Sequence, residues 1–165
     1  MNFLLTGGAG YIGSHAALSL LDAGHNVHII DDLSTGNEGL IPKSAFFIKC
    51  NINDEEVISE LIKSNSFDLL MHFAGFIQVE ESVKYPQKYF DNNTENSTKL
   101  FETCKNNGLN KIVFSSTAAA YGSVSENKLI DENTNLNPQN PYAESKIKTE
   151  NFLFKNKHDY KFIIL

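Results

Sequence analysis

Short apolar runs rich in β-branched and aromatic residues alternate along the chain with longer segments whose apolar positions fall at helical spacing. That is the arrangement expected of βαβ units in a parallel sheet covered on both faces. The runs predict six strands, at Asn2–Thr6, Val27–Asp31, Phe46–Cys50, Leu69–Phe73, Lys111–Ser116 and Lys161–Leu165. Ile12, Ala16, Leu20 and Ala23 predict a first helix over about Tyr11–Ala23, with Gly24 as its left-handed stop. Asn53 as N-cap, with Glu56 three residues on, opens a second helix carrying Val57, Ile58, Leu61 and Ile62. A long third helix is expected within Gln87–Asn107, ended by Gly108. Asn140-Pro141, a capping residue followed by proline at the first helical position, opens the last, from Tyr142 to about Lys157. The polar connection between Tyr121 and Pro141 is longer than most and reads as functional rather than idle. The class is α/β.

Composition narrows this picture. With 165 residues, 41% hydrophobic and 21% charged, the chain suffices for one packed core and is not a disordered one. Its net charge is −6 and none of its 14 basic residues is arginine, so no basic surface for nucleic acid is expected. The apolar run at Met1–Leu5 has no basic flank and is too short for a membrane span or a signal peptide; it reads as a buried strand. Cys50 and Cys104 are far apart and lack metal-ligand spacing, which fits reduced thiols and a cytoplasmic setting. The histidines show no metal-ligand spacing either: His15 reads as a helix residue, His72 as a strand-end residue, and His25, His28 and His158 as surface or turn positions. Glu80-Glu81 reads as a solvated helix entry.

The chemistry begins where the first strand runs into Gly7-Gly8-Ala9-Gly10-Tyr11-Ile12-Gly13 and a helix follows. Gly7, Gly10 and Gly13 allow a tight turn and let a pyrophosphate approach the backbone, while the helix start offers free N–H groups to the anion. In this strand–turn–helix context the spacing predicts a dinucleotide site in a Rossmann-type, doubly wound parallel sheet. The second strand ends in Asp31-Asp32, where a carboxylate accepts from the adenosine ribose hydroxyls and repels a 2′-phosphate, favouring NAD over NADP. Asn51 and Ile52 follow the third strand, where a side chain meets the adenine ring.

Tyr142 and Lys146 stand four residues apart, on one face of the last helix. A lysine ammonium at that distance favours the phenolate, turning a poor base into a usable one. The fifth strand opens at its carboxyl end on Ser115-Ser116-Thr117, where ligands of open α/β sheets bind, and a Thr117 hydroxyl can bridge Tyr142 and a substrate hydroxyl. The bland alternative is a threonine bonding its local backbone.

Together these stretches resemble the extended short-chain dehydrogenase/reductase family, and within it the enzymes that invert C4 of nucleotide sugars. The likeness rests on Thr6–His15, Asp31–Gly36, His72–Gly75, Glu81–Val83, Tyr89–Asn93, Ser115–Gly122 and Pro141–Lys146, and it spans the chain. It implies NAD contacts from Phe73, Ala74, Gly75, Asn92 and Ser115, and a sugar pocket shaped by Tyr121-Gly122. It also implies transient oxidation of a UDP-sugar such as UDP-glucose or UDP-galactose to a 4-keto sugar, with Thr117, Tyr142 and Lys146 catalytic. Ala118-Ala119-Ala120 after Thr117 cannot transfer protons, which disfavours dehydration. Epimerisation or decarboxylation of a UDP-sugar acid stays open. Some relatives hold the nicotinamide ribose with a lysine two residues past the His-Phe-Ala-Gly stretch, where this chain has Ile77. Family members are about twice as long, and their second half brings a last strand, most of the sugar-nucleotide domain and pyrophosphate-clamping arginines. The apolar ending Phe162–Leu165 and the lack of arginine thus read as an N-terminal half, one NAD-binding domain over 1–165. A second chain or a longer parent is expected to supply the rest, and the helices within Gln87–Asn107 and Tyr142–Lys157 would serve a homodimer. The other reading is an NAD-binding remnant without turnover.

Overall fold

Successive residues of the first strand face opposite sides, and each side meets its own apolar layer. The computed structural model describes residues 1–123 and 129–165, so the middle of the polar connection after Tyr121 lies outside the described residues. Six strands form one parallel sheet: β1 (Asn2–Thr6), β2 (Asn26–Asp31), β3 (Phe46–Lys49), β4 (Leu69–His72), β5 (Lys111–Phe114) and β6 (Lys161–Ile164). Their spatial order, β3-β2-β1-β4-β5-β6, reverses direction between β1 and β4. Open α/β sheets bind ligands outside the carboxyl ends of the strands at such a switch point.

Helices α1 (Tyr11–Asp22), α2 (Glu55–Ser64), α3 (Val79–Lys84), α4 (Pro86–Tyr89), α5 (Ser97–Asn106) and α6 (Pro141–Lys155) cover the sheet, with a π-helical turn at Phe90–Asn96 between α4 and α5. On one face Leu4, Ile30, Leu70, Ile112 and Phe114 pack with Ile58, Ile62, Leu100, Phe101, Cys104 and Leu153 from α2, α5 and α6. On the other, Phe3, Leu5, Val27 and Ile29 meet Ala16, Ala17, Leu20 and Leu21 of α1. The doubly wound α/β class and all six strands agree with the sequence reading to within two residues.

Four local expectations change. Asn53 does not cap α2. Its own N–H is held by Asn51 Oδ1 at 3.1 Å, which places it in a turn, and Asp54 caps instead by accepting the Val57 N–H at 3.2 Å. On α1 the buried line is Gly13, Ser14 and Ala17, and Ile12 points out, because only small side chains let the helix lie close to β1 and β2. The helix expected within Gln87–Asn107 runs unbroken from Pro86 to Asn106, but its middle is wound as the π-turn, where Asn93 and Thr94 make cross-helix bonds. His28 lies on β2 rather than in a turn, its ring stacked on Phe46 at 4.6 Å. Cys104 is buried as a small hydrophobe, and burial pushes its thiol up to about 12.

Candidate active site

Two loops leave the sheet at the β1/β4 switch point and face each other across a groove. The first, after β1, is the glycine turn. Gly7 has φ of +72°, and a Cβ there would stand 2.5 Å from Ala74 N, so the two loops touch backbone to backbone. A Cβ on Gly13 would stand 2.2 Å from the Gly7 carbonyl oxygen, so glycine alone lets α1 begin against the turn. Gly10 caps α1 with no side-chain acceptor, which leaves the first amides of α1 free for an anion. A cradle that a single methyl group would fill, at a helix start without a side-chain cap, fits a dinucleotide pyrophosphate.

The groove is lined on one side by Gly7, Gly10, Ile30, Asp31, Asp32, Ser34, Thr35, Gly36, Asn51 and Ile52, and on the other by Phe73, Ala74, Gly75, Phe76 and Asn92. Ten of the residues expected at the cofactor thus share one wall or the other: Gly7, Gly10, Asp31, Asp32, Asn51, Ile52, Phe73, Ala74, Gly75 and Asn92. Asp31 accepts the Ala9 N–H at 3.0 Å through Oδ2 and the Leu33 N–H at 2.9 Å through Oδ1. It therefore fixes the glycine turn and its own turn at once, and its remaining lone pairs are available to a ribose hydroxyl. Asp32 accepts from Ser34 N at 2.9 Å and from Asn51 Nδ2 at 2.7 Å. Burial alone would raise the Asp32 pKa, but the hydrogen bonds from Ser34 and Asn51 outweigh it and hold the carboxyl below its ordinary value.

Six expected cofactor residues lie off these walls. Tyr11 and Ile12, on the first turn of α1, are 77% and 60% exposed, and Gly13 sits behind them against Gly7. Ser115, Tyr142 and Lys146 belong to a second cluster that meets the groove at one place. Lys146 is buried, its Nζ donates to Ser115 O at 2.9 Å, and it stands 3.4 Å from where a Gly75 Cβ would be. Burial lowers the lysine to about 8, while the carboxylate of Glu150 works the other way. Glu150 accepts a hydrogen bond from the Ser116 hydroxyl.

Tyr142 lies on the first turn of α6, which Asn140 caps by accepting the Ala143 N–H at 2.9 Å with Pro141 at the first helical position. Thr117 accepts the Ala119 N–H at 3.2 Å, the local bond the bland reading foresaw, and its hydroxyl hydrogen stays available. It lines a separate, largely apolar hollow with Tyr121, Glu150, Phe162 and Leu165, and no hydrogen bond joins it to Tyr142. Ile77, at the position where some relatives carry lysine, is 69% exposed.

Sequence reasoning missed the groups that hold these pieces together. Asn93, buried in the π-turn, accepts the Phe76 N–H at 2.8 Å, donates to Phe76 O at 2.9 Å and donates to Ser145 Oγ at 3.2 Å. Thr94 donates to Ser145 O and Thr149 donates to Asn93 O, at 2.9 and 2.8 Å. Asn93 thus binds the groove loop to the helix of Tyr142 and Lys146. Asn93→Asp turns the amide's donors into an acceptor facing Phe76 O. Expected from urea unfolding at pH 7 is a loss of about 2–4 kcal/mol, and a loss below about 0.5 kcal/mol would show the clamp to be idle.

The family model for the NAD dependent epimerase/dehydratase family matches residues 3–165. A UDP-glucose 4-epimerase of Azospirillum brasilense is 45% identical over 150 residues, covering 91% of this chain and 43% of that protein. The solved structure of a UDP-glucose 4-epimerase superposes with a TM-score of 0.95 at 36% identity, covering 99% of this chain and 50% of the other. That of the Bifidobacterium longum UDP-glucose 4-epimerase in complex with NAD+ and UDP does so at 0.91 and 30%, covering 99% and 52%. The chain spans about half the length of the curated relatives it matches. With the reversed strand order, the glycine cradle and the Tyr142–Lys146 helix in place, the match over nearly the whole chain leaves one conclusion: the chain belongs to the NAD dependent epimerase/dehydratase family.

Proposed function

We propose that this chain holds NAD and carries the proton-transfer half of a nucleotide-sugar 4-epimerase acting on UDP-glucose and UDP-galactose. The observation that carries the reading is the seating of Lys146 behind Gly75, which joins the cofactor groove to the helix of Tyr142. When bound, NAD supplies the acceptor for the hydride of the sugar's C4 and returns it. The first amides of α1 hold the pyrophosphate, and Asp31 takes the adenosine ribose. Asp32 and Asn51 flank the adenine end, with Ile52 beside them, and Asn92 meets the cofactor from the opposite wall. The Lys146 ammonium stabilises a phenolate at Tyr142, which accepts the proton of the sugar's 4-hydroxyl, and Thr117 would order that proton's path once a bound sugar bridges the two hydroxyls. Ala118, Ala119 and Ala120 offer no group to protonate a departing hydroxyl, which supports epimerisation over dehydration. Catalysis depends on binding energy from the whole nucleotide, and relatives are about twice as long as this chain. We therefore expect residues outside it to grip the UDP moiety.

Titrating the 165-residue chain with NAD and NADP, by fluorescence and thermal shift, tests the cofactor reading. NAD is expected to bind at least about tenfold more tightly than NADP. Equal affinity for the two would remove the role given to Asp31. UDP-galactose added to the NAD-loaded chain is expected to yield no UDP-glucose at enzyme-like rates, roughly 1–1,000 per second. Turnover at those rates would show the sugar site to be complete in this chain. Binding of neither cofactor would overturn the proposal.

A further inference from the structure

One wholly buried side chain beside Tyr142 has no part in the function proposed above. Tyr89, at the end of α4, is 0% exposed, and its ring meets that of Tyr142 edge-on, with centroids 6.4 Å apart and planes at 80°. Its other neighbour is Phe76 of the groove wall, at 5.9 Å. The Tyr89 hydroxyl accepts the Gln78 N–H at 3.1 Å and donates to Glu81 Oε2 at 2.9 Å. Glu81 is held in turn by Lys88 Nζ at 2.7 Å, whose ammonium lies 4.5 Å from the Phe76 ring centroid. Glu81 is thus more than the solvated helix entry its sequence suggested. In the row Phe76, Tyr89, Tyr142 the first two are fixed by groups outside it: Phe76 by Asn93 on its backbone, Tyr89 by Gln78 and Glu81 on its hydroxyl. Tyr142 sits on the first turn of α6, where the helix itself gives a side chain little lateral support.

We infer that Tyr89 is a positioning residue: its ring is the wall that sets the Tyr142 ring relative to the cofactor groove, and the chain Gln78–Tyr89–Glu81–Lys88 holds that wall still. The inference rests on reading Tyr142 as the proton acceptor. An edge-to-face aromatic pair gains interaction beyond its area only within a narrow range of separations and angles, so the buried partner dictates the orientation of the more exposed one.

Labelling the chain with 3-fluorotyrosine gives one 19F resonance for each of its 6 tyrosines, and Tyr142→Phe identifies the one from Tyr142. In Tyr89→Leu, which removes the ring, the Tyr142 resonance is expected to broaden and move towards those of Tyr11 and Tyr85, which are 77% and 62% exposed. In Tyr89→Phe, which keeps the ring, it is expected to stay near its original position. A resonance unmoved in Tyr89→Leu, or displaced equally in both variants, overturns the proposal. Should Tyr89→Leu fail to fold, the unsubstituted chain decides: NOEs between the ring protons of Tyr89 and Tyr142 support the wall, and their absence overturns it. None of these readings needs bound NAD, so a chain that shows the contact yet binds no cofactor would refute the proposed function and leave the placement of Tyr142 standing.

Discussion

Gly7→Ala is expected to weaken NAD binding by about 100-fold or more and to lower stability by about 3 kcal/mol. Two costs meet at this position. A side chain at φ of +72° adopts the left-handed region at a cost of about 1–2 kcal/mol. The new methyl group would also stand 2.5 Å from Ala74 N, 2.7 Å from the Phe73 carbonyl carbon and 2.8 Å from Ala74 Cα, all of them backbone. No rotamer change relieves a backbone contact, so the two groove loops must part. Gly7 N also donates to Ile30 O at 2.9 Å, so the displacement loosens the turn from β2 as well. Gly24→Ala is the control. Gly24 has φ of +80°, but nothing lies within 4 Å of its Cβ position, so the strain appears there without the collision. It should cost about 1 kcal/mol and leave NAD affinity unchanged. Chemical denaturation and NAD titration of the two variants separate the terms, and equal NAD affinities would show that the close approach at Gly7 does not shape the site.

That contrast also marks what could be read from sequence. Gly7, Gly10, Gly13 and Asp31 were legible because their meaning is local: a turn, a helix start and a strand end follow one another within about 25 residues. The six strands were legible as short apolar runs, buried in the central β1 and only partly covered in the edge strands β3 and β6. Asn93 was not, since its partners Phe76 and Ser145 lie 17 and 52 residues away and an asparagine in a polar helix carries no pattern. Nor was the π-turn, where Asn93 and Thr94 make those long-range bonds. The pairing of Tyr142 with Lys146 rests on their spacing, but the groups against which they sit, Ser115 O and Tyr89, come from other elements. Periodicity misled on α1 at Ile12 alone: Ala16 and Leu20 of the same stripe pack on the core, while Ile12 is exposed and the fully buried positions are the small Gly13, Ser14 and Ala17.

Acid should unfold this protein partly through one histidine. His72 Nδ1 lies 2.6 Å from Thr6 Oγ1 and His72 Nε2 lies 2.8 Å from Ser97 Oγ, with all three residues buried. Its ring stacks on Phe114 at 5.8 Å, and Lys146 Nζ lies 4.9 Å from the centroid of the same phenylalanine. Burial first, and the nearby Lys146 ammonium second, lower the His72 pKa from 6.5 to about 3. The unfolded chain therefore binds a proton below pH 6.5 that the folded chain refuses until about pH 3. Stability from this group is intact above pH 6.5 and declines as the pH falls towards 3, by roughly 4–5 kcal/mol in all. Asp32, whose pKa is lowered by folding, adds to the acid slope at lower pH, so the histidine has to be isolated by subtraction. His72→Asn keeps a polar group between Thr6 and Ser97 and cannot titrate. Urea unfolding of both proteins from pH 7 to pH 4 is expected to show the wild-type advantage shrinking by about 1.4 kcal/mol per pH unit below pH 6. A difference that stays level across that range would mean that His72 does not titrate differently in the folded and unfolded chains. Thr6 immediately precedes Gly7, and its carbonyl accepts the Phe73 N–H at 3.0 Å, so the strands His72 joins are those that carry the two groove loops. NAD affinity should therefore fall in the same acid window as stability.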